Sequence, residues 1–334
     1  MILIKWRVAL AVALVAAVAA CGRTGAPAGG GSARKQIAVI PKGTTNEFWK
    51  AIHAGAVKAA NERGGADIIW KGPIREDDRD EQIKIVENFI SQGVDGIVLA
   101  PLDDKALVPA LNEAKARKIP VVIFDSGVKW DDYVSFVATD NYKAGALGAD
   151  RLGEVLGGKG DIILLRYAEG SASTMEREAG FLETLAKNHP GIKVLSSNRY
   201  AGATVEPAYA AAENLLSTFK GVQGMFTPNE STTLGTLLAL RAAGRLGGKN
   251  DVKLVGFDAG DKLVEALWKG ELQGLVLQNP LRMADLAVNA LLDSIGGKKV
   301  EKRIDTGEYM ITRENMKQPD MDALLHPPID KYLK

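Results

Sequence analysis

At 334 residues, with 42 Lys and Arg against 41 Asp and Glu, the chain is nearly neutral and longer than one hydrophobic core usually serves, so two lobes are expected. The absence of a basic excess or basic run excludes the electrostatic footprint of a nucleic-acid binder. A single cysteine, Cys21, and three histidines, His53, His189 and His326, exclude a disulfide framework and a zinc-type metal cluster, and no cofactor is expected.

In chain order, Lys5 and Arg7 precede an apolar run from Val8 to Ala17, followed by Val18-Ala19-Ala20-Cys21-Gly22. This is the anatomy of a secretory signal, and the run is too short and Ala-rich for a membrane span. Small residues followed directly by Cys resemble the bacterial lipoprotein signal, in which the thiol is lipidated and becomes the first mature residue. Residues 1–20 are therefore expected to be removed and Cys21 to carry the lipid; the alternative is an ordinary secreted protein with a free thiol. Removing residues 1–20 takes Lys5 and Arg7 away and leaves 40 basic against 41 acidic side chains. Residues 21–35 then form the lipidated start and a tether, since Gly22 to Ser32 is rich in Gly, Ala, Thr and Pro and has no apolar period.

From Gln36 onward, short apolar runs alternate with longer amphipathic ones. The runs lie at 37–41, 66–70, 94–100, 121–125, 135–140, 161–166, 193–197, 224–228, 252–258 and 272–278. Between them, Ile83, Val86, Phe89 and Ile90 share one helical face, as do Leu182, Leu185 and Ala186. Runs such as Val-Val-Ile-Phe are apolar throughout rather than alternately, which indicates strands buried on both faces of a helix-covered parallel sheet. The fold class expected is α/β, with two doubly wound parallel-sheet lobes and a break near Thr139–Asp140. There is no G-x-S-x-G elbow and no P-loop, and the glycines around Gly145, Gly148 and Gly157 to Gly160 make no dinucleotide fingerprint.

Open parallel sheets bind ligands beyond the carboxyl ends of their strands, so the residues after each apolar run carry the information. After the first run, Thr44 and Glu47 have capping-box spacing, which predicts a helix from Thr44 with Asn46, Phe48 and Trp49 in its first turn. One of the two adjacent rings can pack inward while the other offers a flat face to the apolar side of a sugar; alternatively both are core. Asp125 and Asp258 each end a buried run, as a helix cap or as an acceptor for hydroxyl groups. Asn141, Asn229 and Gln278 stand at the same topological position.

These residues resemble the bacterial periplasmic sugar-binding proteins of the ribose-binding type, from Gln36 to about Lys302. The carriers are Asn46-Glu47-Phe48-Trp49, Gly93-Val94-Asp95-Gly96-Ile97, Phe124-Asp125, Thr139-Asp140-Asn141, Glu176-Arg177-Glu178-Ala179-Gly180-Phe181, Val255-Gly256-Phe257-Asp258 and Gln278. The resemblance implies the type 1 periplasmic binding protein fold, with a multi-strand hinge between lobe one (36–139 plus 279–306) and lobe two (140–278 plus 307–334). It implies a monomeric, non-enzymatic receptor for a sugar or polyol, lipid-anchored outside the cytoplasmic membrane and serving an ABC permease and its ATPase. Asn46, Phe48, Trp49, Asp125, Asn141, Asn229, Asp258 and Gln278 fall on that family's sugar-contacting positions. Ser126 and Met175 stand where ribose binders carry Arg, which argues against ribose itself. Lys42, a further candidate ligand-binding residue that could meet an anionic substituent, is with Lys71-Gly72-Pro73 and Phe124-Asp125-Ser126 closer to rhamnose and autoinducer-2 receptors, although the latter's Asp-Gln pair near Glu176 is not reproduced. Arg177 and Glu230 are candidate substitutes for the missing clamps, and Glu176 is a further candidate ligand-binding residue. Two other readings stay open: a ligand sensor for a chemoreceptor or sensor kinase, and a secreted carbohydrate-active enzyme using Asp125 and Asp258.

Overall fold

The computed structural model describes residues 34–247 and 251–333. The signal segment, Cys21 and the 22–32 tether fall outside the described residues.

The first half of the chain runs β1 (Lys35–Ile40), α1 (Glu47–Arg63), β2 (Ala66–Trp70), α2 (Arg79–Gln92), β3 (Gly96–Leu99), α3 (Val108–Ala116), β4 (Val121–Phe124) and β5 (Phe136–Ala138). The second continues with α4 (Asn141–Val155), β6 (Lys159–Arg166), α5 (Ala172–Asn188), β7 (Gly191–Tyr200), α6 (Val205–Thr218), β8 (Gly224–Phe226) and α7 (Glu230–Ala242). It then gives β9 (Lys253–Phe257), α8 (Asp261–Lys269), β10 (Gly274–Leu277), α9 (Pro280–Ile295), β11 (Arg303–Asp305), β12 (Tyr309–Ile311), α10 (Pro319–Leu325) and a 3-10 turn, Ile329–Lys331.

Two six-stranded sheets result, ordered β11-β5-β4-β3-β1-β2 and β12-β10-β9-β8-β6-β7. All pairings are parallel except β10 with β12. The apolar runs make this possible: β3, β4, β8 and β10 are buried at every position, with helices on both faces. Each sheet accordingly separates two core clusters, one on either face.

Helix ends are set by short polar side chains. Asp78, Asp140, Asn229 and Asn279 each accept a backbone N–H from the first turn of the helix they precede. Gly93 closes α2 in the left-handed conformation, at φ 68°. The helix expected from Thr44 instead begins at Glu47, with Asn46 as its N-cap. The capping box does not form because the Thr44 hydroxyl donates to Pro73 O and Glu47 pairs with Lys50.

The chain passes between the sheets after β5, after β10 and between β11 and β12. These crossings are tied together by Thr139 Oγ1, which lies 3.3 Å from Thr306 Oγ1 and donates to Gly307 O at 3.2 Å, and by Arg303 Nη2 donating to Thr139 O. At the C-terminal end, Leu325 is buried in the core of the second sheet, while the 3-10 turn packs on α1 of the first.

Candidate functional site

The carboxyl ends of both sheets face one seam, and the loops that follow the strands meet there. Asp125 follows β4 and Asp258 follows β9, both at positive φ, 60° and 65°. Aspartate tolerates this left-handed region better than bulkier residues, and the sharp turn takes the chain off the strand with the carboxylate at the seam. Lys42, two residues beyond β1, extends its ammonium to Asp125 Oδ2 at 3.0 Å, Ser173 Oγ at 3.1 Å and Ser171 Oγ at 3.4 Å. All three of its N–H groups are thereby used within the protein, so Lys42 balances Asp125 rather than waiting for an anionic ligand.

Several further bonds cross the seam. Tyr167, directly after β6, donates its hydroxyl to Glu76 Oε2 at 2.7 Å. The other oxygen of Glu76 accepts from Asn46 Nδ2 at 2.6 Å and Trp49 Nε1 at 2.7 Å. Glu230, the first residue of α7, accepts the backbone N–H groups of Glu47 and Phe48 at 3.4 and 3.3 Å. It therefore supplies to the N-terminus of α1 the acceptor that Asn46, engaged with Glu76, does not. Ser173 N donates to Ser126 Oγ, and Asp104 N to Gly170 O. The two lobes are closed on each other.

Between them lies a small cavity lined by Lys42, Asn46, Phe48, Trp49, Asp125, Arg177, Asn229, Glu230, Asp258 and Gln278 among the residues expected from sequence. Asn141 and Glu176 do not line it. Asn141 is the first residue of α4, and its Oδ1 accepts Arg177 Nε at 2.8 Å, so it positions the guanidinium from behind. Glu176 is solvent-exposed on α5, with Arg303 and Arg177 nearby. Glu76, Tyr167, Ser173 and Thr174 line the cavity without having been expected. Tyr167 ends a strand, so the strand-end rule applied to β6 finds it; Glu76 sits six residues beyond β2 and carries no such signal.

Both aromatic alternatives hold together. Phe48 and Trp49 are buried in the core of the first lobe, edge to face at 4.9 Å, and each also lines the cavity. Asn229 likewise caps α7 through Thr232 N while presenting itself to the cavity. Asp258 receives Glu230 N at 3.1 Å and Gln278 Nε2 at 2.8 Å.

Two buried polar atoms of the lining have no protein partner: Arg177 Nη2 and Gln278 Oε1, on residues 2% and 4% exposed. The rest of the Arg177 guanidinium is fixed by Asn141 and Pro228 O and lies over the Phe257 ring at 4.2 Å. An immobilised donor and an immobilised acceptor left empty in a buried site fit a ligand that offers both, as a hydroxyl group does. Burial pushes the Glu76 and Asp258 carboxyls above the usual range. Glu230 is pushed up to about 8, first by burial and then by the charge of Asp258.

Residues 37–299 match the family described as periplasmic binding protein domain. The chain belongs to that family. Among periplasmic binding proteins, it is 30% identical over 261 residues to the ribose import binding protein RbsB of Bacillus subtilis, covering 78% of this chain and 81% of that one. A solute-binding protein of an ABC transporter from Agrobacterium vitis, solved with bound D-fucose, is 33% identical, with a TM-score of 0.83 over 87% of this chain and 100% of that one. A carbohydrate transporter solute-binding protein from Agrobacterium radiobacter, in complex with D-arabinose, is 31% identical, with a TM-score of 0.84 over 88% of this chain and 100% of that one. The sequence expectation of two parallel-sheet α/β lobes of this family agrees with the fold. Among the described residues no helix is long and apolar enough to cross a membrane.

Proposed function

We propose that this protein is the solute-binding component of an ABC importer, holding one sugar or polyol in the cleft and presenting it to a permease. The observation that carries the reading is the pair of unsatisfied polar atoms, Arg177 Nη2 and Gln278 Oε1, in a cavity with aromatic rings and carboxylates contributed by both lobes. Rings suit the apolar faces of a sugar, and charged groups take its hydroxyls in short, charge-assisted bonds. Because the ligand touches both lobes, it favours the closed arrangement over the open one. The relatives named above are binding proteins, and the role assigned here is binding and delivery without turnover.

The reading extends to the N-terminus. Cys21 is assigned as the lipid attachment point, with a monomeric receptor tethered outside the cytoplasmic membrane beside its permease. Mass spectrometry of the mature protein tests this directly: an N-terminal diacylated Cys21 is expected, and a free Cys21 thiol within an intact N-terminal segment overturns it. Isothermal titration against a panel of pentoses, hexoses and polyols tests the binding role. A saturable heat with one ring class is expected; no heat and no thermal shift with any member, for folded protein, rejects it.

A further inference from the structure

The ionisable side chains lining the cavity are four carboxylates, Glu76, Asp125, Glu230 and Asp258, against two cations, Lys42 and Arg177. Lys42 is consumed by Asp125 and two serine hydroxyls. Arg177 is held by the neutral oxygens of Asn141 and Pro228, which leave its charge to act on Asp258. Among the described residues, neither Glu76 nor Glu230 forms an ion pair. Glu76 receives only neutral donors, from Asn46, Trp49 and Tyr167, and Glu230 receives two backbone amides. With every group ionised the lining carries two uncompensated negative charges.

The surplus is concentrated at one corner. Asp258 and Glu230 are joined by the Glu230 N to Asp258 Oδ2 bond, and Gln278 is attached to the other oxygen of Asp258. That attachment fixes the orientation of the Gln278 amide: Nε2 donates to Asp258, so Oε1 is left as the buried acceptor without a partner. Two carboxylates and one amide oxygen therefore stand together at this corner; the Arg177 guanidinium acts on Asp258, and no cation is paired with Glu230.

We propose that the cleft selects a sugar or polyol bearing one free amino group, whose ammonium is received by Glu230, Asp258 and Gln278 Oε1. An ammonium has three N–H donors and no acceptor, which matches three acceptors at one corner; a hydroxyl has a single donor and leaves two of them unmet. The bonds to the two carboxylates are charge-assisted and form in a desolvated site, where they count for more than at a surface. Burial first, and then the charge of Asp258, pushes the Glu230 carboxyl up to about 8, so that it carries a proton at neutral pH. A ligand ammonium takes that proton's place, whereas an anionic sugar adds to the surplus. The inference rests on the carbohydrate reading above.

The test is titration calorimetry at about pH 6.5 with matched sets of neutral hexose, free amine, N-acetylated amine and uronate in the gluco, galacto and manno series, beside the neutral pentose and polyol panel. The free amine is expected to bind at least tenfold more tightly than its neutral parent and its N-acetylated form, with the uronate weakest. Repeating the titration in buffers of different ionisation enthalpy should show proton release with the amine and none with the parent. Glu230→Gln should reduce the preference for the amine over its parent by at least tenfold. Glu265→Gln, which removes an exposed carboxylate of α8, should leave that preference in place. A neutral sugar or polyol that binds as tightly as every amine, or more tightly, overturns the inference and leaves the carbohydrate reading standing. No binding by any member of either set overturns both.

Discussion

Asp125 and Asp258 show how one residue type turns the backbone and lines the cleft at once. Each ends a buried strand at positive φ and each lines the cavity, one balanced by Lys42 and the other by Gln278 and a helix N-terminus. Alanine at either position would mix loss of the carboxylate with backbone strain. Asparagine keeps both the size and the left-handed tolerance. Asp125→Asn and Asp258→Asn are therefore each expected to weaken ligand binding by about 2 kcal/mol, as for a lost charge-assisted bond, with the circular dichroism spectrum retained. Affinity unchanged in both variants, measured by calorimetry, removes them from the site. Both aspartates were legible in the sequence because a carboxylate that halts Val-Val-Ile-Phe or Leu-Val-Gly-Phe has few reasons to be there. Glu76 was not legible: it lies in an irregular loop, and its partners Asn46, Trp49 and Tyr167 come from three other segments. Nor does sequence show that Asn141 faces Arg177 instead of the cavity, since that depends on how α4 is turned against α5.

At the level of elements, the site depends on helix pairs packed backbone to backbone. A Cβ on Gly145 of α4 would lie 1.9 Å from Arg177 O on α5, and one on Gly180 of α5 would lie 2.0 Å from Tyr142 O on α4. The first lobe repeats the device, with Gly55 of α1 against Leu281 O of α9 at 2.1 Å. Gly145→Ala must push the helices apart at the residue whose guanidinium enters the cleft. It is expected to destabilise the fold by about 1–3 kcal/mol and to weaken ligand binding as well, read by thermal melts and calorimetry on the same preparation. A variant with native melting and native affinity contradicts this account of the packing. Most of the ten longer apolar runs were legible as strands because they are buried on both faces, whereas β2 and β7, at the sheet edges, are only partly buried; the observed ends differ from the expected ones by a few residues. β11 and β12 were missed for a physical reason: each has three residues at a sheet edge, and Arg303-Ile304-Asp305 carries no apolar run. The start of α1 was misread for a related reason, because the acceptor at its N-terminus comes from Glu230, far along the chain.

On the scale of the whole molecule, Glu230 joins the lobes and makes their closure sensitive to protons. Burial, and then the charge of Asp258, pushes its carboxyl up to about 8, against 4.5 ordinarily. Across that window the closed form binds a proton that the unfolded chain does not, so this contribution to stability is complete below the ordinary value and is lost as pH rises through about 8. Glu230→Gln, which mimics the protonated group, is expected to melt close to the parent protein at about pH 5 and above it at about pH 8.5. A difference in melting temperature that does not change with pH counts against this role. The positions of β11 and β12 have a further consequence, for the time order of folding. Each is the sixth strand of its sheet, and α9, whose Met283, Ala287, Val288 and Leu291 fill the core of the first lobe, also comes late in the chain. A chain delivered from its N-terminus, as one threaded through a translocation pore would be, holds two unfinished sheets until about residue 311 has emerged. Such long-range pairings are slow to form. The lobes are separate in space, yet the last strands of the two sheets, β11 and β12, follow one another within nine residues, so both lobes are completed almost together.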